Sequence, residues 1–98
     1  MQTNVKIQDN FLIVPTAGTR LPLATQSTPC ARVTISADEN NAGNVSVGGA
    51  TVVAAVGATR SGCVLQPGGS VAFDIDDLSK VYVDVLNNND KVLFTWTS

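Results

Sequence analysis

Four carboxylates and two thiols are the side chains of this sequence whose types and spacing invite a chemical reading. Asp74, Asp76, Asp77 and Asp84 stand close together along the chain. Paired carboxylates perform acid–base chemistry when their surroundings drive their pKa values apart. Asp74 and Asp76 are two residues apart on one face of an alternating run, and Asp84 alternates outward on the next. The same pattern describes a solvated outer sheet face with an aspartate capping a turn, and that is the reading preferred here. Calcium would need oxygen ligands from this cluster or from Asp38-Glu39-Asn40-Asn41, but neither stretch has the alternating aspartates and glycine of a calcium loop. The chain contains 0 histidines, which excludes Ser-His-Asp and Cys-His nucleophilic sites. Gly48-Gly49 and Gly57 are followed by no Lys-Ser/Thr, so they make no phosphate loop. Cys30 and Cys63 lack CxxC spacing and are too few for a metal site. They read as two reduced, half-buried thiols, with a disulfide between them left open. The expectation is therefore no enzyme, no cofactor and no metal.

The elements that position these residues are strands. Polar and apolar residues alternate through 30–37 (Ala31, Val33, Ile35, Ala37), 69–76 (Val71, Phe73, Ile75), 80–86 (Val81, Val83, Val85) and 91–97 (Val92, Phe94, Trp96). Each predicts a half-buried antiparallel strand. Shorter strands are expected over 11–14, 44–48, 51–56 and 62–66. Between them lie turn signals: Asp38 to Asn44, a tight hairpin at Gly48-Gly49, Gln66-Pro67-Gly68-Gly69, a short turn at Asp76-Asp77-Leu78-Ser79, and Asn87-Asn88-Asn89-Asp90. The expected fold is all-β: an antiparallel β-sandwich, jelly-roll or Ig-like, of about eight short strands. Residues 15–29 break the alternation with Pro15, Gly18, Pro22 and Pro29. Two readings stand for 1–29. It is an N-terminal arm and loop outside a compact sandwich of 30–98, or it is an ordinary first strand followed by a long surface loop.

Composition narrows the partners. Charged residues make up 14% of the chain and the net charge is −2, so no basic surface is available for nucleic acid. No apolar run is long enough to span a bilayer, and the N-terminus lacks a signal peptide's charged and apolar regions, which predicts a protein made and used without Sec export. Glycan binding would need exposed aromatics, but Phe73, Phe94 and Trp96 fall on inward faces and only Tyr82 looks outward. Asparagine amides at Asn40, Asn41 and Asn87 to Asn89 are the remaining glycan candidates. The apolar run Thr51 to Ala58, set against so few solvating charges, suits a subunit contact.

Two longer stretches carry a resemblance. Cys30-Ala31-Arg32-Val33-Thr34-Ile35-Ser36-Ala37-Asp38 with Asn44-Val45-Ser46-Val47-Gly48-Gly49 resembles small virion proteins of tailed bacteriophages. So does Gly62-Cys63-Val64-Leu65-Gln66-Pro67-Gly68-Gly69-Ser70-Val71 with Ile75-Asp76-Asp77-Leu78-Ser79-Lys80-Val81-Tyr82-Val83. The resemblance spans roughly residues 30–96 and implies a head-decoration, auxiliary capsid or head-fibre protein. Its function would be to decorate and stabilise a capsid as a homo-oligomer, a trimer, with the major capsid protein as partner. The protein would be made in the host cytoplasm and sit on the capsid surface of the virion. The contact residues expected on this reading are Val5, Ile7, Phe11 and Ile13 in the arm, and Val52, Val53 and Val56 in the apolar run. The rival readings are a virion-displayed glycan or host-adhesion module and a tail component of similar fold.

Overall fold

The computed structural model describes residues 6–97. Eight strands form two four-stranded antiparallel sheets. They are β1 (Ile7–Val14), β2 (Leu21–Pro22), β3 (Arg32–Ala37), β4 (Val45–Gly48), β5 (Cys63–Leu65), β6 (Ser70–Phe73), β7 (Tyr82–Val85) and β8 (Asp90–Thr97). The first sheet runs β1-β8-β3-β6 and the second β2-β7-β4-β5. This order, with the chain passing repeatedly from one sheet to the other, is that of a jelly roll. The all-β sandwich read from the alternation is what the chain forms, and the topology selects jelly roll over Ig-like.

The alternating residues supply the core. Val33 and Ile35 on β3, Val45 and Val47 on β4, Val83 and Val85 on β7, and Val92 on β8 are buried between the sheets. Fully burying one such side chain contributes about 1.5–3 kcal/mol. Phe94 and Trp96 stack within the core with ring centroids 5.4 Å apart. Leu78 opens a short 3-10 turn, Leu78–Lys80, and is itself buried. Asp77 caps that turn, as the sequence predicts, by accepting the Ser79 N–H.

Three expectations are corrected by the structure. Ile7–Val14 is no extended arm, because it pairs along its whole length with β8, from Ile7 opposite Thr97 to Val14 opposite Asp90. Val5 lies outside the described residues. The expected strand over 51–56 is a loop, and Gly48-Gly49 does not close a hairpin onto it. β4 pairs instead with β5, Val47 opposite Cys63, and residues 49–62 cross over the outer face of the second sheet. Val52 and Ala54 are buried on the underside of that crossover. Their alternation with partly or fully exposed Val53 and Ala55 arises from a loop lying flat on a sheet, which mimics the period of a strand. Asp84, expected on a solvated face, is 2% exposed because this crossover covers it.

Candidate functional site

Each member of the acidic cluster has a structural partner. Asp74 pairs with Arg32 at 2.8 Å and Asp76 with Lys80 at 2.8 Å. Asp77 accepts the Ser27 hydroxyl, the Thr28 N–H and both the N–H and hydroxyl of Ser79. These donors, the Ser27 hydroxyl foremost, hold its carboxyl well below the usual carboxylate range. Asp84 accepts the Gly18 N–H at 3.0 Å, the Ala54 N–H at 2.9 Å and the Val85 N–H at 2.9 Å. It is a clamp on two loops. Asp90 does the same work elsewhere, accepting the Ala42 and Gly43 N–H groups. The four carboxylates singled out in the sequence are thus dispersed into an ion pair with Arg32, an ion pair with Lys80, a turn cap and a buried clamp. Among the described residues no group of three or more Asp, Glu, Cys or His could hold a metal ion.

The thiols are separate and half-buried. Cys30 precedes β3, and its Sγ–H donates to the Ile75 carbonyl at 3.1 Å. Burial pushes this thiol's pKa up, and the neighbouring Asp77 and Asp76 push it the same way. Cys63 opens β5, an edge strand of the second sheet.

The outer face of the first sheet is different in kind. Three of the expected contact residues lie here: Ile7 is 79% exposed, Phe11 54% and Ile13 43%. All three project from β1, and Leu93, opposite Phe11 on β8, joins them at 44%. Asp9, Asn10, Phe11, Thr34, Leu93 and Thr95 line a shallow groove of about 610 Å³ on this face. The Lys91 ammonium lies 5.3 Å from the centroid of the Phe11 ring, within cation–π range, and 3.3 Å from Asp38. The Asn40 N–H and then Lys91 hold the Asp38 carboxyl below its ordinary value. The other candidates do not join this group. Val52 is buried within its own fold, Val53 is half-buried and Val56 is exposed at the far tip of the crossover. Leu93 and Lys91 were not singled out from sequence. The signal was available, since Leu93 is the one large apolar residue on the polar side of the β8 alternation.

No protein-family model matches this chain, and no curated protein matches it. A solved structure of a Bacillus endospore appendage, from a family of disulfide-linked pili, is similar to it at 14% identity and a TM-score of 0.53. The match covers 99% of this chain and 88% of that one. At this identity the likeness speaks to the fold. It nonetheless overturns the resemblance to tailed-phage virion proteins, because the match runs to a bacterial appendage and no sequence family ties the chain to phage. Capsid decoration, the trimer, the major capsid protein as partner and a place on the virion lose their ground together. The adhesion-module and tail-component alternatives, framed on the same virion, go with them.

Proposed function

We propose that this chain is a non-catalytic structural subunit that assembles with copies of itself into a pilus-like appendage. The observation that carries this reading is the end-to-end likeness of its jelly roll to a subunit of disulfide-linked pili. Two features of the molecule support it. Asp74, Asp76, Asp77 and Asp84 are each engaged in a surface ion pair, a turn cap or a loop clamp. Its two cysteines are unpaired and partly exposed, at separate places on the sandwich. Cys63, at the start of an edge strand, is the better placed to link one subunit to the next. Cys30 is held less reactive by the raised pKa of its thiol.

The test is assembly itself. Purified protein concentrated under oxidising conditions is expected to give filaments by negative-stain electron microscopy and a ladder of covalent multimers on a non-reducing gel. A subunit linked to two neighbours uses both of its thiols, so Cys63→Ser and Cys30→Ser should each leave nothing above a covalent dimer. A chain that stays monomeric under oxidising conditions, with no ladder and no filaments, overturns the proposal.

A further inference from the structure

We propose that a second copy of this chain docks antiparallel along β1, about a twofold axis at Asn10, joining two first sheets into one continuous eight-stranded sheet. The backbone of β1 sets the argument. The Asp38 N–H donates to the Lys91 carbonyl, and the Ala31 N–H donates to that of Thr97. Odd-numbered residues of β8 therefore face β3, and its even-numbered residues face β1. In the observed register, Leu12 opposite Val92 and Asn10 opposite Phe94, the even residues of β1 bond β8. Ile7, Asp9, Phe11 and Ile13 consequently aim their N–H and C=O groups at the open edge. The Phe11 N–H has turned to the side chain of Asn10, 2.8 Å away, for an acceptor. A row of such groups along an extended strand is satisfied by another strand.

The other three sheet edges are poor docking sites. β6 is four residues long, β5 three, and β2 two with Pro22 among them. β1 runs for eight residues, has no proline before Pro15, and projects Ile7, Phe11 and Ile13 from one face. Natural edges are blunted by brevity, proline or inward charge, and β1 has none of these.

The sequence of β1 argues for a second copy and fixes the register. Pairing centred on Asp9 would set two carboxylates opposite each other, which is unfavourable. Pairing centred on Phe11 would leave Ile7 opposite Pro15, beyond the strand. Pairing centred on Asn10 engages all four odd residues: Ile7 meets Ile13 of the partner subunit, and Asp9 meets Phe11 of the partner subunit. Lys91 lies over that phenyl ring, so each Asp9 acquires a cation across the interface. Among the described residues Asp9 makes no ion pair within its own subunit. The interface is isologous, each patch meeting itself. It rests on the assembly proposed above only in naming a copy of the chain as the occupant.

Sedimentation of the reduced full chain should show a dimer. Phe11→Lys, an exposed substitution, should weaken it by roughly tenfold or more at unchanged melting temperature. In a Cys30→Ala, Cys63→Ala background, Asn10→Cys should oxidise to a covalent dimer, because non-hydrogen-bonded partners across an antiparallel pair bring their Cα atoms to about 4.5 Å. Thr34→Cys, exposed on β3 two strands inward from that edge, should not. A monomer under reducing conditions overturns the pairing, and so does cross-linking of Thr34→Cys as fast as Asn10→Cys. Filaments that persist when Phe11→Lys leaves no dimer behind would be an outcome against it as the assembly contact. A dimer without filaments removes the appendage reading and leaves the pairing standing.

Discussion

The two sheets turn polar residues outward by the same alternation, yet their outer faces differ. On the second sheet, Ser46 and Asp84 sit side by side on β4 and β7 and are almost fully buried. On the first, Thr34 and Thr95 sit side by side on β3 and β8 and are exposed. Loop placement makes the difference. The crossover of residues 49–62 and the turn around Gly18 both lie on the second sheet, tied there by the carboxylate of Asp84. No described loop crosses the apolar patch of the first sheet, so Phe11, Ile13 and Leu93 remain open. One face is finished within the subunit. The other stays open to solvent among the described residues.

Breaking the finished face should have the largest effect. Asp84→Ala leaves the N–H groups of Gly18, Ala54 and Val85 without their acceptor. The Ala54 and Val85 donors are buried, and each left unpaired costs about 1–3 kcal/mol. The expected loss is about 3 kcal/mol or more, read by urea unfolding, with the 49–62 crossover becoming sensitive to protease. A loss below about 1 kcal/mol would show that the clamp is ornamental. Gly62→Ala comes next. Gly62 has φ +92°, and a Cβ there would lie 2.8 Å from the Val47 carbonyl oxygen and 2.5 Å from a Val52 methyl. Left-handed backbone combined with this clash should cost about 2–3 kcal/mol in the same assay.

The Asp77 cap should show itself through pH. Its folded pKa is depressed, so its contribution is complete above the unfolded value of about 3.9 and fades as pH falls toward the folded value. Thermal melts should therefore lose stability below about pH 4. Asp77→Asn should melt lower at neutral pH and lose part of this acid dependence. If the variant's acid profile runs parallel to that of the parent chain, another carboxylate is responsible.

Much of the sandwich was legible because burial from one side writes a period of two into the sequence. Val33, Ile35 and Ala37, and likewise Val92, Phe94 and Trp96, announce both strand and face. Asp77 before Leu78-Ser79 announces a cap by local chemistry. Asp84 shows where such reading stops. Its outward direction was right, but what covers it comes from residues 49–62, and no local pattern reports a distant loop. β1 was legible only over its second half, residues 11–14, for the opposite reason. An edge strand is solvated on its outer face and partly on its inner one, so Gln8 and Asn10 occur where a central strand would carry apolar residues. The open patch needed both strands at once: Phe11 and Leu93 are far apart in sequence and become one surface only when β1 pairs with β8.

The smallest effect on stability should come from the open face, and it sharpens the comparison most. Leu93 and Val92 are neighbours on β8 facing opposite ways, Leu93 44% exposed and Val92 0%. Threonine suits a strand at either place. Val92→Thr buries a hydroxyl among the core valines and should cost about 1–3 kcal/mol. Leu93→Thr removes an apolar side chain already in water, and its unfolding free energy should move by no more than about 0.5 kcal/mol. If the first sheet's outer face serves only solubility, Leu93→Thr changes nothing else. If it meets another subunit, the variant should melt like the parent chain while self-associating measurably less in sedimentation. Stability and association would then separate along one strand, at adjacent residues.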